Sequence, residues 1–297
     1  MAETATSAVV KDDPFTLAFR GAYFVLYPPL RRIRAEFRGR TVADSENTYL
    51  FVEFRDPRDR AREMEANKFW MGRCEYYWPL AEVDLTALVP NGKRRHDPRI
   101  GGGAYYNLVV GDKVIDDAAW VWDEAEGEAA PLRDYIAISS RALDGLFEEE
   151  DQITGPRNPY HSVEVRHSSR HVQVEIDGVI VADTHQPRIL YETGLPPRFY
   201  LPRQDINAQY LTATDLRTTC PYKGECVYWT VQTDGDAREN IAWSYVHPYP
   251  NAGKIEHLIS FYEERGATLI VDGVRKPAPG TPFPPGFIVK PKPRLVE

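Results

Sequence analysis

Apolar and polar positions alternate with a period of two along most of this chain. In VQVEIDGVIVAD, residues 172–183, Val172, Val174 and Ile176 share one face, the run breaks at Asp177-Gly178, and Val179-Ile180-Val181 resumes it. Such alternation sorts side chains to the two faces of a strand. An Asp-Gly pair between β-branched runs predicts a hairpin, since glycine accepts the positive φ of a tight primed turn. The same pattern predicts turns at Arg38-Gly39, Gly111-Asp112, Asp234-Gly235 and Asp272-Gly273. Helical spacing is convincing in one stretch, DPRDRAREMEANKFW over 56–70, where charges alternate four residues apart. The pattern predicts a mainly β protein with a single helix.

The chain repeats itself. RIRAEFRGRTVADS (32–45) and HVQVEIDGVIVADT (171–184) both read as strand, Gly turn, strand, then Ala-Asp-Ser/Thr, and Glu53 and Glu192 follow at the same distance. EYYWPLAEVDLTAL (75–88) then matches RFYLPRQDINAQYL (198–211), with Tyr77 on Tyr200 and Pro79 on Pro202. GGAYYNLV (102–109) matches GECVYWTV (224–231), and DDAAWVW (116–122) matches ENIAWSY (239–245), which sets Trp120 on Trp243. The offset falls from 139 at the glutamates to 123 at the tyrosines, so the helix 56–70 is an insertion in the first copy. A period above 100 residues implies duplicated domains rather than a solenoid. We expect a leader over 1–29, a first domain over 30–147, a linker over 148–160, a second domain over 161–275 and a tail over 276–297. Seven prolines in that tail exclude a central strand there. Two such halves suit an internal pseudo-dimer.

Composition narrows the partners. A net charge of −8 over 297 residues argues against nucleic acid, whose phosphates are bound by clustered Lys and Arg. The cluster Lys93-Arg94-Arg95-His96 reads as a solvated loop. No run of 18 apolar residues predicts a membrane span, and MAETATSAVVKDDPF lacks the basic start and apolar core of a secretory signal. A cytoplasmic home follows, and with it free thiols at Cys74, Cys220 and Cys226.

The second copy is where a specific resemblance lies. RHSSRHVQVEIDGVIVADT, YETGLPPRFYLPRQDI, TTCPYKGECVYW and IAWSY stand in the order and spacing of domain-of-unknown-function family four-twenty-seven, which is also labelled nucleotidyltransferase-like. The resemblance covers 161–275, with 30–145 as a diverged member. It implies two antiparallel domains of the β-tent type in tandem, with these motifs lining a pocket, and it implies no reaction. In the same register the first copy sets Pro98 on Cys220, Gly101 on Lys223, Glu75 on Arg198 and Ala104 on Cys226, and Tyr106 answers Tyr228. Chemistry that needs Cys220 and Lys223 is therefore lost from the first copy, which is left to scaffold, to cover the second pocket or to bind something else.

Three readings compete for TTCPYKGECVYW: a metal site, a reactive thiol, or a buried turn whose thiols only pack. Cys220 and Cys226 lack the second ligand pair that structural zinc requires, so neither metal nor cofactor is expected. Magnesium-dependent nucleotidyl transfer is not expected either, because no Asp-x-Asp/Glu pair follows a Gly-Gly or Gly-Ser element. A cation near a thiol favours the thiolate, and Lys223 comes within reach of Cys220 if Cys-Pro-Tyr-Lys-Gly turns tightly. Glu192 then serves as acid or base, or as partner to Lys223 or Arg198. Arg198 and Tyr200, two apart on a strand, offer an anion a planar donor fork and a hydroxyl. Tyr228 and Trp243 form walls. We expect a small polar, anionic metabolite in the second domain. Its chemistry, if any, falls to Cys220 as nucleophile or to Lys223 as acid/base or imine former. The competing expectation is a non-catalytic ligand-binding or protein-interaction module with a structural turn.

Overall fold

The structure is a computed structural model that describes residues 8–9, 24–53, 74–193 and 195–279. The helix expected at 56–70 and the tail beyond residue 279 lie outside the described residues. Chain contacts divide into two units, one built chiefly from 1–60 and 71–158, the other chiefly from 159–291.

The first unit contains β1 (Ala8–Val9), β2 (Phe24–Tyr27), β3 (Ile33–Phe37), β4 (Arg40–Ser45), β5 (Tyr49–Glu53), β6 (Cys74–Pro79), β7 (Leu88–Asp97), β8 (Gly101–Val110), β9 (Lys113–Ala125), β10 (Tyr135–Ile138), β11 (Gly145–Glu148) and β12 (Asp151–Gln152). One sheet runs β1-β2-β5-β6-β10-β9-β8-β7 and a second runs β12-β11-β3-β4. The second unit contains β13 (Val163–His167), β14 (Val172–Ile176), β15 (Val179–Thr184), β16 (Arg188–Glu192), β17 (Arg198–Tyr200), β18 (Leu211–Cys220), β19 (Gly224–Val231), β20 (Arg238–Pro248), β21 (Ser260–Phe261), β22 (Thr268–Val271) and β23 (Val274–Arg275). Its sheets run β13-β16-β17, β15-β14-β22-β23 and β18-β19-β20-β21. The bridge Leu201↔Ile259 links the first of these to the last.

With that bridge the two units share one topology. The order β13-β16-β17-β21-β20-β19-β18 repeats β2-β5-β6-β10-β9-β8-β7, and β23-β22-β14-β15 repeats β12-β11-β3-β4. The protein is two antiparallel β-tent-like domains in tandem, neither closed into a barrel. The expected hairpin residues hold positive φ at Asp177 (+50°) and Gly178 (+82°), with the same signs at Arg38-Gly39 and Asp272-Gly273. Asp234-Gly235 instead lies in a longer connection, where the Gln232 side chain donates to the Gly235 carbonyl. Small capping features repeat as well: the Asp84 side chain accepts from the Thr86 amide, and Asn207 accepts from Gln209.

Period-two burial builds the cores. β3 and β14 both bury every second residue. In the second unit Val172, Val174 and Ile176 meet Trp229, Val231, Ile241 and Leu269. In the first, Phe24, Leu26, Phe51 and Tyr77 meet Ile100, Trp120 and Trp122. One expectation is overturned here. Lys93-Arg94-Arg95-His96 is not a loop but the end of β7, paired to β8 through Arg94↔Ala104, Arg95↔Gly103 and His96↔Gly102. Lys93 and Arg94 face Asp117 and Asp123, while Arg95 lies on aromatic rings. Backbone pairing outweighed the weak strand propensity of a charged run.

Candidate functional site

The site begins with a glutamate on the inner face of a strand. Along β16, Leu190 and Glu192 are buried while Tyr191 between them is exposed, so Glu192 points inward by the pleat. The end of β16 pairs with the start of β13 through Val163↔Glu192, which brings the preceding His161 alongside. His161 Nε2 lies 3.0 Å from Glu192 Oε1, and both side chains are 5% exposed. From the other side Lys223 Nζ donates to Glu192 Oε2. Lys223 is 8% exposed, unusual for a lysine. The Tyr222 ring completes the group, with its centroid 4.0 Å from that of His161.

Lys223 reaches inward because of the turn that carries it. Cys220 pairs with Gly224, so Pro221, Tyr222 and Lys223 form the tip of the β18–β19 hairpin. Gly224 has φ +102°, and a Cβ there would drive into the carbonyl oxygen of His247 on β20. Only glycine permits both. The Lys223 carbonyl accepts from the Tyr249 amide at 3.2 Å, which ties the tip to the segment after β20. Cys220 is a free, half-buried thiol at the start of the tip.

Electrostatics favour the charged forms of Glu192 and Lys223. Burial opposes charge on Glu192, but Lys223 and the His161 hydrogen bond outweigh it and hold its carboxyl well below the usual range. Burial likewise opposes the Lys223 ammonium, but Cys220, Glu192 and Tyr200 together raise its pKa above the ordinary lysine value. Both directions favour the ion pair over the neutral forms. What the arrangement offers chemically is a fixed positive charge that interacts electrostatically with Cys220, braced by Glu192, which His161 holds in turn.

The remaining expected residues divide. Tyr200 on β17 is buried and accepts from Trp243 Nε1 at 3.1 Å. Burial raises its pKa, and Lys223, which opposes that rise, acts on it. Arg198 shares the strand but not the group: its guanidinium is clasped by Glu264, Nη1 to Oε2 at 2.9 Å, and has Glu263 at 3.6 Å. The fork expected to hold an anion thus holds an internal carboxylate. Burial, with Glu264 adding to it, lifts the neighbouring Glu263 carboxyl to about 7 against the opposing pull of Arg198. Tyr228 bonds the Thr218 hydroxyl at 2.7 Å. Cys226 is 2% exposed, and burial pushes its thiol up to about 12. Trp229 turns to the opposite face and joins the core. Among the described residues no group of three His, Cys, Asp or Glu side chains is placed to hold a metal ion, and no helix is long and apolar enough to cross a membrane.

A family model for a domain of unknown function (DUF427) matches residues 71–149 and 164–273, more than half of the chain in two successive segments. The chain belongs to the DUF427 family. No curated protein matches it.

Strand pairing sets the two DUF427 copies in a register one residue away from the sequence match at the glycines. Gly101, at φ +118°, pairs with Ala125, and its missing Cβ would strike the Glu124 carbonyl, as that of Gly224 would strike His247. Tyr105 pairs with Trp120 as Tyr228 pairs with Trp243. Gly101 therefore answers Gly224, Ile100 answers Lys223, Arg99 answers Tyr222 and Asp97 answers Cys220. The run Gly101-Gly102-Gly103 left the sequence match degenerate, and the close approach of the neighbouring strand decides it. Both copies tie this turn to a buried glutamate: Arg99 Nη2 lies 3.0 Å from Glu53 Oε1, and Lys223 meets Glu192. Among the described residues, the second DUF427 copy alone places an ammonium, an imidazole and a thiol there. Sequence reasoning missed His161, Tyr222, Glu263 and Glu264 as neighbours of the motif. The signal for His161 was its place just before the strand that pairs with Glu192.

Proposed function

We propose that the second DUF427 domain binds a small polar, anionic metabolite at the Cys-Pro-Tyr-Lys-Gly turn, in the cytoplasm and without metal or cofactor. One observation carries this reading. The first copy meets its buried glutamate with the one-third-exposed Arg99 and sets Ile100 in the place of Lys223, so the fold uses a cation at this turn without burying a lysine there. A lysine buried this fully between Glu192 and the thiol-bearing turn, with His161 on the far carboxylate oxygen, is expensive to keep, and such groups cluster at functional sites. Its fixed charge supports an anion at the Cys220 sulfur: a bound ligand's, or the thiolate itself if Cys220 acts as nucleophile. Glu192 and His161 position Lys223. Tyr200 and Trp243 brace the wall, and Arg198 stands apart with Glu264.

A second reading has its own support. Lys223 and Arg198 both already face internal carboxylates, as they would in a binding module whose turn is purely structural. Native mass spectrometry of the purified chain beside its denatured mass separates the two, repeated on Cys220→Ala. An organic anion lost on denaturation, and diminished in Cys220→Ala, is the expected result. A clean apo mass, together with a Cys220 that iodoacetamide fails to label in the native state, would leave the structural turn standing.

A further inference from the structure

The β18–β19 hairpin carries two thiols on one face. Thr218 stands opposite Cys226 in the ladder, and Cys220 follows Thr218 two residues on, so Cys220 and Cys226 are diagonal neighbours on the same face. Tyr245 on β20 stands opposite Cys226 from the other side. The two sulfurs share their electrostatic neighbours: Cys220 acts on Cys226, Lys223 and Tyr245, and Cys226 acts on Tyr200 and Tyr245. Their surroundings differ. Cys220 is half-buried at the hairpin tip, in the field of the Lys223 ammonium, whereas Cys226 is buried, and burial pushes its thiol up to about 12. A half-open sulfur beside a cation, next to a thiol that burial keeps protonated, is the arrangement of an attacking and a resolving cysteine. In the first unit, the register set by Gly101 puts Asp97 and Gly103 at these two places, so the pair belongs to the second copy.

We propose that Cys220 and Cys226 form a redox pair that responds to hydroperoxides, with Cys220 oxidised first and Cys226 closing a reversible disulfide. The Cys220 sulfur attacks a peroxide oxygen. The S–O bond forms as the O–O bond breaks, and the departing oxygen takes up the thiol proton and leaves as water or an alcohol. The Cys226 sulfur then attacks the sulfur of the Cys220 sulfenic acid. The S–S bond forms, the S–O bond breaks, and the hydroxyl leaves as water with the Cys226 proton. Two electrons pass from the thiols to the peroxide. Diagonal partners across a ladder have Cα atoms about 7–8 Å apart, just beyond the ~7 Å that a disulfide spans. Closure therefore draws the end of β18 inward, and β18, hydrogen-bonded along one side only among the described residues, is the strand that can give. The strain left in the bond makes it easily reduced. This inference rests on the reading of Cys220 as a nucleophile, and closing the bridge withdraws that sulfur from the anion site.

The test treats the full chain, under native conditions, with equimolar hydrogen peroxide, then blocks remaining thiols with N-ethylmaleimide in denaturant. Of the three thiols, one, Cys74, should remain to be blocked. Trypsin cleaves after Arg217, Lys223 and Arg238, so a non-reduced digest should show peptides 218–223 and 224–238 joined, and dithiothreitol should part them. Dimedone, which traps sulfenic acids, should label Cys220 in Cys226→Ala and leave the wild type unlabelled. The wild-type digest decides the matter even if that variant folds poorly. Unjoined peptides after peroxide, or a bridge through Cys74 or between two chains, would overturn the redox pair. Iodoacetamide labelling of native Cys220 before oxidation tells the two failures apart: a labelled Cys220 with no bridge sinks this inference alone, and an unlabelled one sinks the nucleophilic reading of Cys220 with it.

Discussion

Replacing Lys223 by methionine keeps most of the side-chain length and removes the ammonium, so it isolates what the charged end contributes. The Lys223 side chain is 11% exposed and that of Glu192 5% exposed, which leaves little water to replace the lost contact. Breaking one side of a buried pair strands the other charge and costs about 3–5 kcal/mol. His161 remains hydrogen-bonded to Glu192 and softens the loss, so a value near 3 kcal/mol is expected, roughly a hundredfold in the folding equilibrium. Lys223→Met with Glu192→Gln leaves no stranded charge and should recover most of it, so the pair shows a coupling of about 2 kcal/mol in a double-mutant cycle. The pH dependence has a definite sign. The Glu192 pKa is depressed in the fold, so its contribution is full above the ordinary 4.5 and fades as pH falls through the lower folded value. The Lys223 pKa is raised, so its contribution is full below the ordinary 10.5 and fades as pH rises through the higher folded value. The wild-type advantage over Lys223→Met should therefore be flat between those limits and shrink below 4.5. Urea unfolding followed by tryptophan fluorescence measures each variant. A single-variant loss under about 1 kcal/mol, or a double variant less stable than the single, would refute the buried-pair argument.

Other perturbations separate shared framework from local chemistry. Gly224→Ala and Gly101→Ala should each cost about 2 kcal/mol or more, because both residues hold positive φ against a neighbouring carbonyl; thermal unfolding gives the comparison. Tyr200→Phe leaves one buried indole N–H without its acceptor, whereas Tyr77→Phe leaves two, so the second should cost about twice the first's ~1–2 kcal/mol in denaturant titrations. Glu263 has a folded pKa raised to about 7, so its contribution to stability is present below the ordinary 4.5 and lost as pH rises through 7. Glu263→Gln should remove that slope from the stability–pH curve.

Much of the architecture was legible without coordinates because it is written locally. Strand alternation, the Asp177-Gly178 hairpin and the matched Tyr200–Trp243 and Tyr77–Trp120 pairs all depend on neighbours along the chain or on simple repetition. The conspicuous error of element type, the basic end of β7, arose where pairing with β8 overrode a charged run's low strand propensity. The one-residue slip at Gly101 arose where three glycines in a row look alike until β9 approaches one of them.

By itself, then, the sequence determined two mainly β DUF427 copies and singled out the Cys-Pro-Tyr-Lys-Gly turn, since hairpins and periodic faces are short-range properties of the chain. Only the tertiary structure decided which charges meet. His161, Glu192 and Lys223 are spaced 31 residues apart in turn, and Arg198 finds Glu264 across 66. Such pairings are set by strand order and by which face of each strand is buried. Whether a cation is open to a ligand or already answered within the fold is therefore settled by long-range packing that no local pattern encodes.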